Sequence, residues 1–344
     1  MIIFRGGTMM HKQIPVQLSK LIQDEADYFW SPSVRWCKTE DAVEIEHSVF
    51  SGIALELFPE LYYITQKGIK LESLIEHYSH LNQEFLVDFI KHLINERILV
   101  SSILSPQELL YPHNYLVHNP HHEDTFIDPE RYNRFKQKKL ERTFSNVMEY
   151  DLPLEDVSFP EEIVNRRSFR NFDINRKLPF KTFSKLISVF KQTITDREIR
   201  YFYATDGGLY PIDIFIYVKD ARIEKVKAGL YYYNPVRNML QMVSSACVIT
   251  QEAHYAQNQE IFSTSAFSVF MVYNSEVTMP KYGGMGYLYA AIDCGIMVQL
   301  LTQVAELEQV GLCSIGDMNF RKIKKYFKLN SSQVMLHSIE VGLK

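Results

Sequence analysis

Apolar and polar residues alternate over Glu44–Phe50 and again over Ile53–Phe58, the two-residue period of half-buried strands. Ser51-Gly52 between them suits a hairpin turn. The spacing becomes helical from Leu71 to Tyr78, and a second helix is predicted from Gln83 to Glu96 with Phe85, Phe89, Leu93 and Ile94 on one face. Ile98-Leu99-Val100 reads as a closing strand, so residues 1–105 are expected to hold a small winged-helix-like module. Residues 106–160, rich in Pro, His, Asn and charge, read as a linker or wrapping arm. Beyond residue 161 a helix is predicted from Phe180 to Lys191, with Phe183, Leu186, Ile187 and Phe190 inward, then a strand over Ile212–Val218. The run Phe267–Tyr273 is apolar on both faces and therefore belongs in the middle of a sheet. A long apolar helix from Tyr289 to Glu308 and a strand from Val334 to Gly342 complete an α+β domain, helices around a mixed sheet, over residues 161–344.

A length of 344 residues agrees with two domains, since single cores seldom outgrow ~250 residues. The net charge of −4 carries no signature of a phosphate-backbone binder. The predicted helix pair bears Glu72, Glu76, Glu84, Asp88 and Glu96 against Lys91 and Arg97, a face that repels nucleic acid. Peptide docking suits the module better, with a structural or dimer-supporting role as the alternative. The four cysteines are scattered without a CxxC pair, so buried free thiols are expected rather than a metal or disulfide framework. His113, His118, His121 and His122 read as solvated loop residues, since no carboxylate or Cys joins them at a metal-site spacing. No apolar run is expected to reach the ~18 residues of a membrane span, and Met1–Met10 lacks the apolar stretch of a signal peptide; a cytoplasmic protein is expected.

Four segments carry candidate chemistry. Arg166, Arg167, Ser168 and Arg170 offer guanidinium forks and a hydroxyl suited to a phosphate monoester, although a solvated basic stretch has the same composition. Thr205-Asp206-Gly207-Gly208 leads toward the strand at Ile212; paired glycines let a backbone approach a ligand, or simply make a tight turn. Lys281-Tyr282 stands in a glycine-rich segment read as an exposed loop, where an ammonium beside a phenol favours the phenolate and so a proton-transfer site. Gly311 is read as the C-cap of the long helix, leaving Cys313-Ser314-Ile315-Gly316 as a loop free to contact a ligand.

Taken in order, Arg166-Arg167-Ser168-x-Arg170, Gly207-Gly208-Leu209-Tyr210-Pro211, Gly229-Leu230-Tyr231-x-Tyr233-x-Pro235, Lys281-Tyr282-Gly283 and Gly311-x-Cys313-x-Ile315-Gly316 resemble the nitroreductase-fold flavoproteins, and among them the SagB/McbC-type azoline dehydrogenases. The resemblance covers roughly residues 161–344. It implies an FMN-dependent homodimer that oxidises a peptide-borne thiazoline or oxazoline to the azole. It also implies a peptide or carrier-bound peptidyl substrate, presented by a cyclodehydratase or peptide-synthetase partner. By the same resemblance Arg166, Arg167, Ser168 and Arg170 contact the FMN phosphate and ribityl chain. Thr205, Asp206, Gly207 and Gly208 border the flavin ring, Gln299 and the segment from Cys313 to Gly316 complete the pocket, and Lys281 and Tyr282 are catalytic. Two departures stand out: Ala204-Thr205-Asp206 replaces the family's Pro-Ser-Ala, and Met285-Gly286-Tyr287-Leu288 replaces Arg-Gly-Tyr-Arg. A NAD(P)H-dependent nitro- or quinone reductase and a non-catalytic scaffold subunit are the rival readings.

Overall fold

The structure, a computed structural model, describes residues 25–142, 152–195 and 198–344, so the expectation for Met1–Met10 lies outside the described residues. In the N-terminal part, β1 (Asp27–Trp30) is followed by a three-stranded antiparallel meander, β2 (Trp36–Lys38), β3 (Val43–Ile45) and β4 (Ser48–Phe50). The meander's turn falls at Glu46-His47, where Glu46 takes a φ of 51°. Ile53–Phe58 is not a strand but the start of α1 (Ile53–Thr65). A six-residue window fits both periods; over thirteen residues the burial of Ala54, Leu57, Phe58 and Leu61 shows that the helical repeat prevails. Gly52, at φ 62°, caps this helix instead of closing a hairpin.

Next come β5 (Ile69–Lys70), α2 (Leu71–His77), α3 (Gln83–Asn95) and β6 (Leu99–Val100), with β1 pairing between β5 and β6. Leu86, Phe89, Ile90 and Leu93 of α3 face the core, while Phe85 and Ile94 are only partly buried. Residues 28–99 thus gather a hydrophobic core of their own.

The arm is more regular than its composition suggested. It forms α4 (Pro106–Leu110), which opens on a Ser105/Glu108 capping box, then α5 (Asp124–Ile127) and α6 (Pro129–Leu140), capped by Asp128. His121 packs edge-on against Phe126 and Phe135, and His122 pairs with Asp124. Arg97 binds Glu108 at 2.6 Å, Gln107 donates to Asp317 at 2.6 Å, and Tyr287 Oη donates to the Leu104 carbonyl at 3.0 Å. These bonds moor the N-terminal part and the first stretch of the arm to the C-terminal part.

The C-terminal part contains α7 (Glu161–Val164), α8 (Phe180–Ile187), the hairpin strands β7 (Thr193–Thr195) and β8 (Glu198–Arg200), then β9 (Ile212–Val218), β10 (Gly229–Asn234) and β11 (Met239–Ser244). After them run α9 (Ala256–Thr264), β12 (Phe267–Asn274), α10 (Ser275–Tyr282), α11 (Met285–Leu307), β13 (Val310–Ile315) and β14 (Gln333–Leu343). Six strands form one sheet in the order β11-β10-β9-β12-β14-β13, with β12 central as its two apolar faces require. The class is α+β, but all five ladders are antiparallel, so within one chain the sheet is not mixed. Phe183, Leu186 and Ile187 of α8 and Ala290, Cys294, Met297 and Leu301 of α11 cover one face of the sheet. Phe262, Phe320 and Phe327 pack on the other.

By length and composition α11 is apolar enough to cross a membrane, contrary to the sequence reading; its inward face, however, belongs to the core. Its outward positions Leu288, Ala291, Ile292, Gly295, Ile296, Gln299, Gln303 and Leu307 are exposed and carry no charge.

Candidate functional site

Lys281 and Tyr282 do not lie in a loop. They form the last turn of α10, which Gly283 ends at φ 56°. A helix end is a firmer mount than a loop, and it aims both side chains at one spot, the backbone of Gly207. A β-carbon built on Gly207 would collide with Tyr282 Oη and stand 2.8 Å from Lys281 Nζ. Gly207 and Gly208 have φ of 65° and 69°, the left-handed region that glycine enters without penalty. The turn therefore needs glycine for its conformation, and at Gly207 also for the space that the two polar tips occupy. Lys281 Nζ lies 4.9 Å from the centroid of the Tyr282 ring, and Tyr289 packs edge-on against that ring.

Beside this turn Thr205 Oγ1 donates to Asp293 Oδ2 at 2.6 Å, tying the glycine turn to α11. Burial holds the Asp293 carboxyl above the ordinary carboxylate range; the Thr205 hydrogen bond opposes that push, and the nearby Asp206 charge adds to it. Asp293 was missed by sequence reasoning. Its one signal is an acid in an otherwise apolar helical run, where an unpartnered carboxylate would be costly.

The arginine stretch lies elsewhere. Arg166, Arg167, Ser168 and Arg170 are exposed in the extended segment after α7. Phe169 fastens this segment to the edge strand: its N–H donates to the Leu312 carbonyl at 2.9 Å, and its ring covers Gly311. Gly311 is thus no helix cap. The long helix ends at Leu307, and Gly311 lies within β13, where its missing side chain makes room for Phe169. The segment read as a loop is strand as far as Ile315. Cys313 and Ile315 point into a small core with Phe172 and Ile261; Ser314 is exposed and bonded to His337. Burial pushes the Cys313 thiol up, against the pull of the Arg170 charge. Among the described residues no carboxylate lies within ion-pair distance of Arg166, Arg167 or Arg170.

These groups do not meet within one chain. Leu312 lies in register with Val341, Phe267 and Val218, whereas the glycine turn enters β9 at Ile212. Three strand spacings and six residues separate Leu312 from Ile212, roughly 25 Å across the sheet. Gln299 occupies a third position, on the exposed side of α11, where it lines a groove of about 540 Å³ with Phe202, Ala204 and Ile296.

A model of the nitroreductase family matches residues 163–343. The chain is 23% identical over 192 residues to the nitroreductase-like protein MJ1384 of Methanocaldococcus jannaschii, covering 56% of this chain and 95% of that one. It is 28% identical over 147 residues to the microcin B17-processing protein McbC of Escherichia coli, covering 41% of this chain and 53% of that protein. A chain of the E. coli microcin synthetase McbBCD complex with bound truncated pro-MccB17 superposes with a TM-score of 0.47 at 18% identity, over 78% of this chain and 96% of that chain. A nitroreductase-type structure from Ralstonia eutropha superposes with a TM-score of 0.44 at 19% identity, over 56% of this chain and 87% of that one.

Proposed function

Since the chain belongs to the nitroreductase family of flavin-dependent oxidoreductases, we propose that it is an FMN-dependent dehydrogenase that oxidises a peptide-borne thiazoline or oxazoline to the aromatic azole. The observation that carries this reading is the convergence of Lys281 and Tyr282 on the bare backbone of Gly207. The meeting of a phenol and an ammonium group at this turn supports a proton-transfer role for the pair. A simple hydride exchange would not call for such a pair; removal of a carbon-bound proton does.

The residues fit a flavin mononucleotide. Three guanidinium groups with no carboxylate partner among the described residues suit its phosphate, with the Ser168 hydroxyl beside them. Thr205, Asp206, Gly207 and Gly208 would border the ring, and Gln299, Ser314, Gly316 and the backbone of Cys313 and Ile315 would close the pocket. When bound, FMN supplies the two-electron acceptor for hydride. Tyr282 Oη would accept the proton from the azoline ring carbon, and the neighbouring Lys281 would stabilise the charge that develops there. Thr205 and Asp293 hold the glycine turn in place while this happens.

The arginine stretch is fastened to Leu312 and the glycine turn enters β9 at Ile212, roughly 25 Å away across the sheet, so in this reading a second copy would bring the missing half of the flavin site. The uncharged outer stripe of α11 suits such a homodimer, because burying it strands no charge. Similarity to McbC supports a peptide substrate and a cyclodehydratase or synthetase partner, with the N-terminal winged-helix-like part as the docking module.

Tyr282→Phe tests the assignment: it is expected to keep bound FMN, seen in the visible spectrum, while abolishing oxidation of a synthetic thiazoline peptide. Turnover equal to that of the native chain would sink it. Similarity to MJ1384 favours a second reading, a NAD(P)H-dependent reductase, which rapid bleaching of the flavin by NADPH without peptide would support.

A further inference from the structure

The β9–β10 ladder ends at the Phe215–Tyr232 pair, so among the described residues Ile212–Ile214 are paired with β12 on one side and with no strand on the other. The space at that open edge is a cavity of about 190 Å³. It is lined by Tyr201, Tyr203, Tyr210, Tyr232, Tyr233 and Asp213. Ligand pockets for flavin-sized molecules run to roughly 300 Å³ and above, so this one admits only a small head group.

Asp213 is the feature that calls for a ligand. Its carboxylate accepts hydrogen bonds from Gln333 Nε2 at 2.8 Å and Tyr232 Oη at 3.4 Å, both neutral donors. Among the described residues no Lys, Arg or His forms an ion pair with it. Burial pushes its carboxyl above the ordinary range. A carboxylate withdrawn from water without a countercharge is unfavourable, and a cation placed beside it removes the penalty. The other walls suit the same guest. Tyr201 stacks on Tyr210 with centroids 4.0 Å apart, and Tyr203 meets Tyr210 edge-on at 5.6 Å. Aromatic faces carry the negative end of a quadrupole and attract ammonium and guanidinium groups. Tyr210 itself is held at φ 52°, a conformation that a bulky side chain adopts only under constraint.

We propose that this cavity is a binding site for an organic cation, the ammonium or guanidinium head of a ligand, recognised by Asp213 and the tyrosine walls. It is independent of the redox reading. The head group can belong to a basic side chain of a bound peptide or to a free amine. Tyr210 is three residues from Gly207, within about 10 Å, so a peptide could reach both places.

The test is calorimetric titration of the full chain with methylguanidinium, methylammonium and their neutral isostere methylurea. At least one cation is expected to bind saturably and methylurea not to bind. Asp213→Asn, whose amide oxygen can accept from Gln333 while its NH2 donates to Tyr232 Oη, should weaken the cation about tenfold or more without lowering the melting temperature of the unliganded protein. Tyr201→Leu, which keeps bulk but loses the aromatic face, should weaken it several-fold, and it serves if the first variant does not fold. No saturable binding of either cation up to about 50 mM, equal binding of methylurea, or unchanged affinity in the variant tested would overturn the proposal. Binding of an N-acetylated, C-amidated Ala-Arg-Ala peptide would assign the site to a peptide side chain; binding of agmatine alone would assign it to a free amine.

Discussion

Gly311→Ala tests whether the packing of the edge strand holds the arginine stretch in its working place. The added methyl would stand 2.5 Å from Phe169 Cδ1, 2.9 Å from Cγ and 3.1 Å from Cβ. Carbon atoms rest about 3.5–4.0 Å apart, so Phe169 must retreat by roughly 1 Å. It cannot do so alone. Its N–H is bonded to Leu312, its ring meets Phe172 at 5.7 Å, and the Arg167 guanidinium lies 5.9 Å from its centroid. Overpacking of this kind costs about 1–3 kcal/mol, which for a chain of this size lowers the melting temperature by a few degrees. The displaced segment carries Arg166, Arg167 and Arg170 with it. Loss of one good phosphate contact, about 1.4 kcal/mol, corresponds to about tenfold weaker FMN binding. Riboflavin lacks the phosphate, so its affinity should hardly change. Fluorescence-quenching titrations of the flavin-free protein with both compounds separate the cases. Equal losses for FMN and riboflavin, or unchanged FMN affinity in a protein whose melting temperature has dropped, would refute the reasoning.

Gly207→Ala forces a left-handed alanine, costing about 1–2 kcal/mol, and displaces Tyr282 and Lys281; oxidation of a thiazoline peptide should fall about 100-fold with FMN retained, and native turnover would show that the pair does not work at this turn. Ile296→Asp places a charge in the uncharged stripe of α11 and should give monomers in sedimentation velocity; an unaltered dimer would move the interface elsewhere. His254 is buried with neither ring nitrogen hydrogen-bonded among the described residues, and burial, helped by the Lys219 charge, pushes its pKa down from 6.5 to about 4. The unfolded chain then binds the proton at a pH where the folded one does not, so stability is lost as pH falls from about 6.5 to about 4, by up to ~3 kcal/mol. Denaturant melts of His254→Phe should show a shallower decline over that window, and parallel curves for the two proteins would contradict this.

Where a segment was long enough to declare its period, the sequence reading held. Phe267–Tyr273 is central because residues apolar on both faces have nowhere else to go, and Phe183, Leu186, Ile187 and Phe190 face inward as their spacing requires. The failures are short or borderline. Ile53–Phe58 satisfied two periods at once, and only the continuation through Leu61 decided between them. Gly311 reads as a cap in the sequence because a glycine after a helix is so often one. Its true reason is a ring from a segment about 140 residues earlier, which no local pattern can express. The candidate site divides in the same way: the residue types Arg166, Arg167, Arg170, Lys281 and Tyr282 were legible as chemistry, whereas Asp293 was not, since its role comes from Thr205, 88 residues away.

Alone, the order of residues determined the long strands and helices, the faces these turn inward and the side chains able to carry charge or protons, because a period repeated over many residues depends on neighbours one to four positions apart. Tertiary structure decided what meets what. It put Tyr282 and Lys281 over Gly207, left Asp213 without a counter-ion among the described residues, and set the arginine stretch beside the edge strand β13 and the glycine turn at the start of β9, three strands away. Such meetings follow from strand register and packing between distant segments, and only the folded chain contains that information.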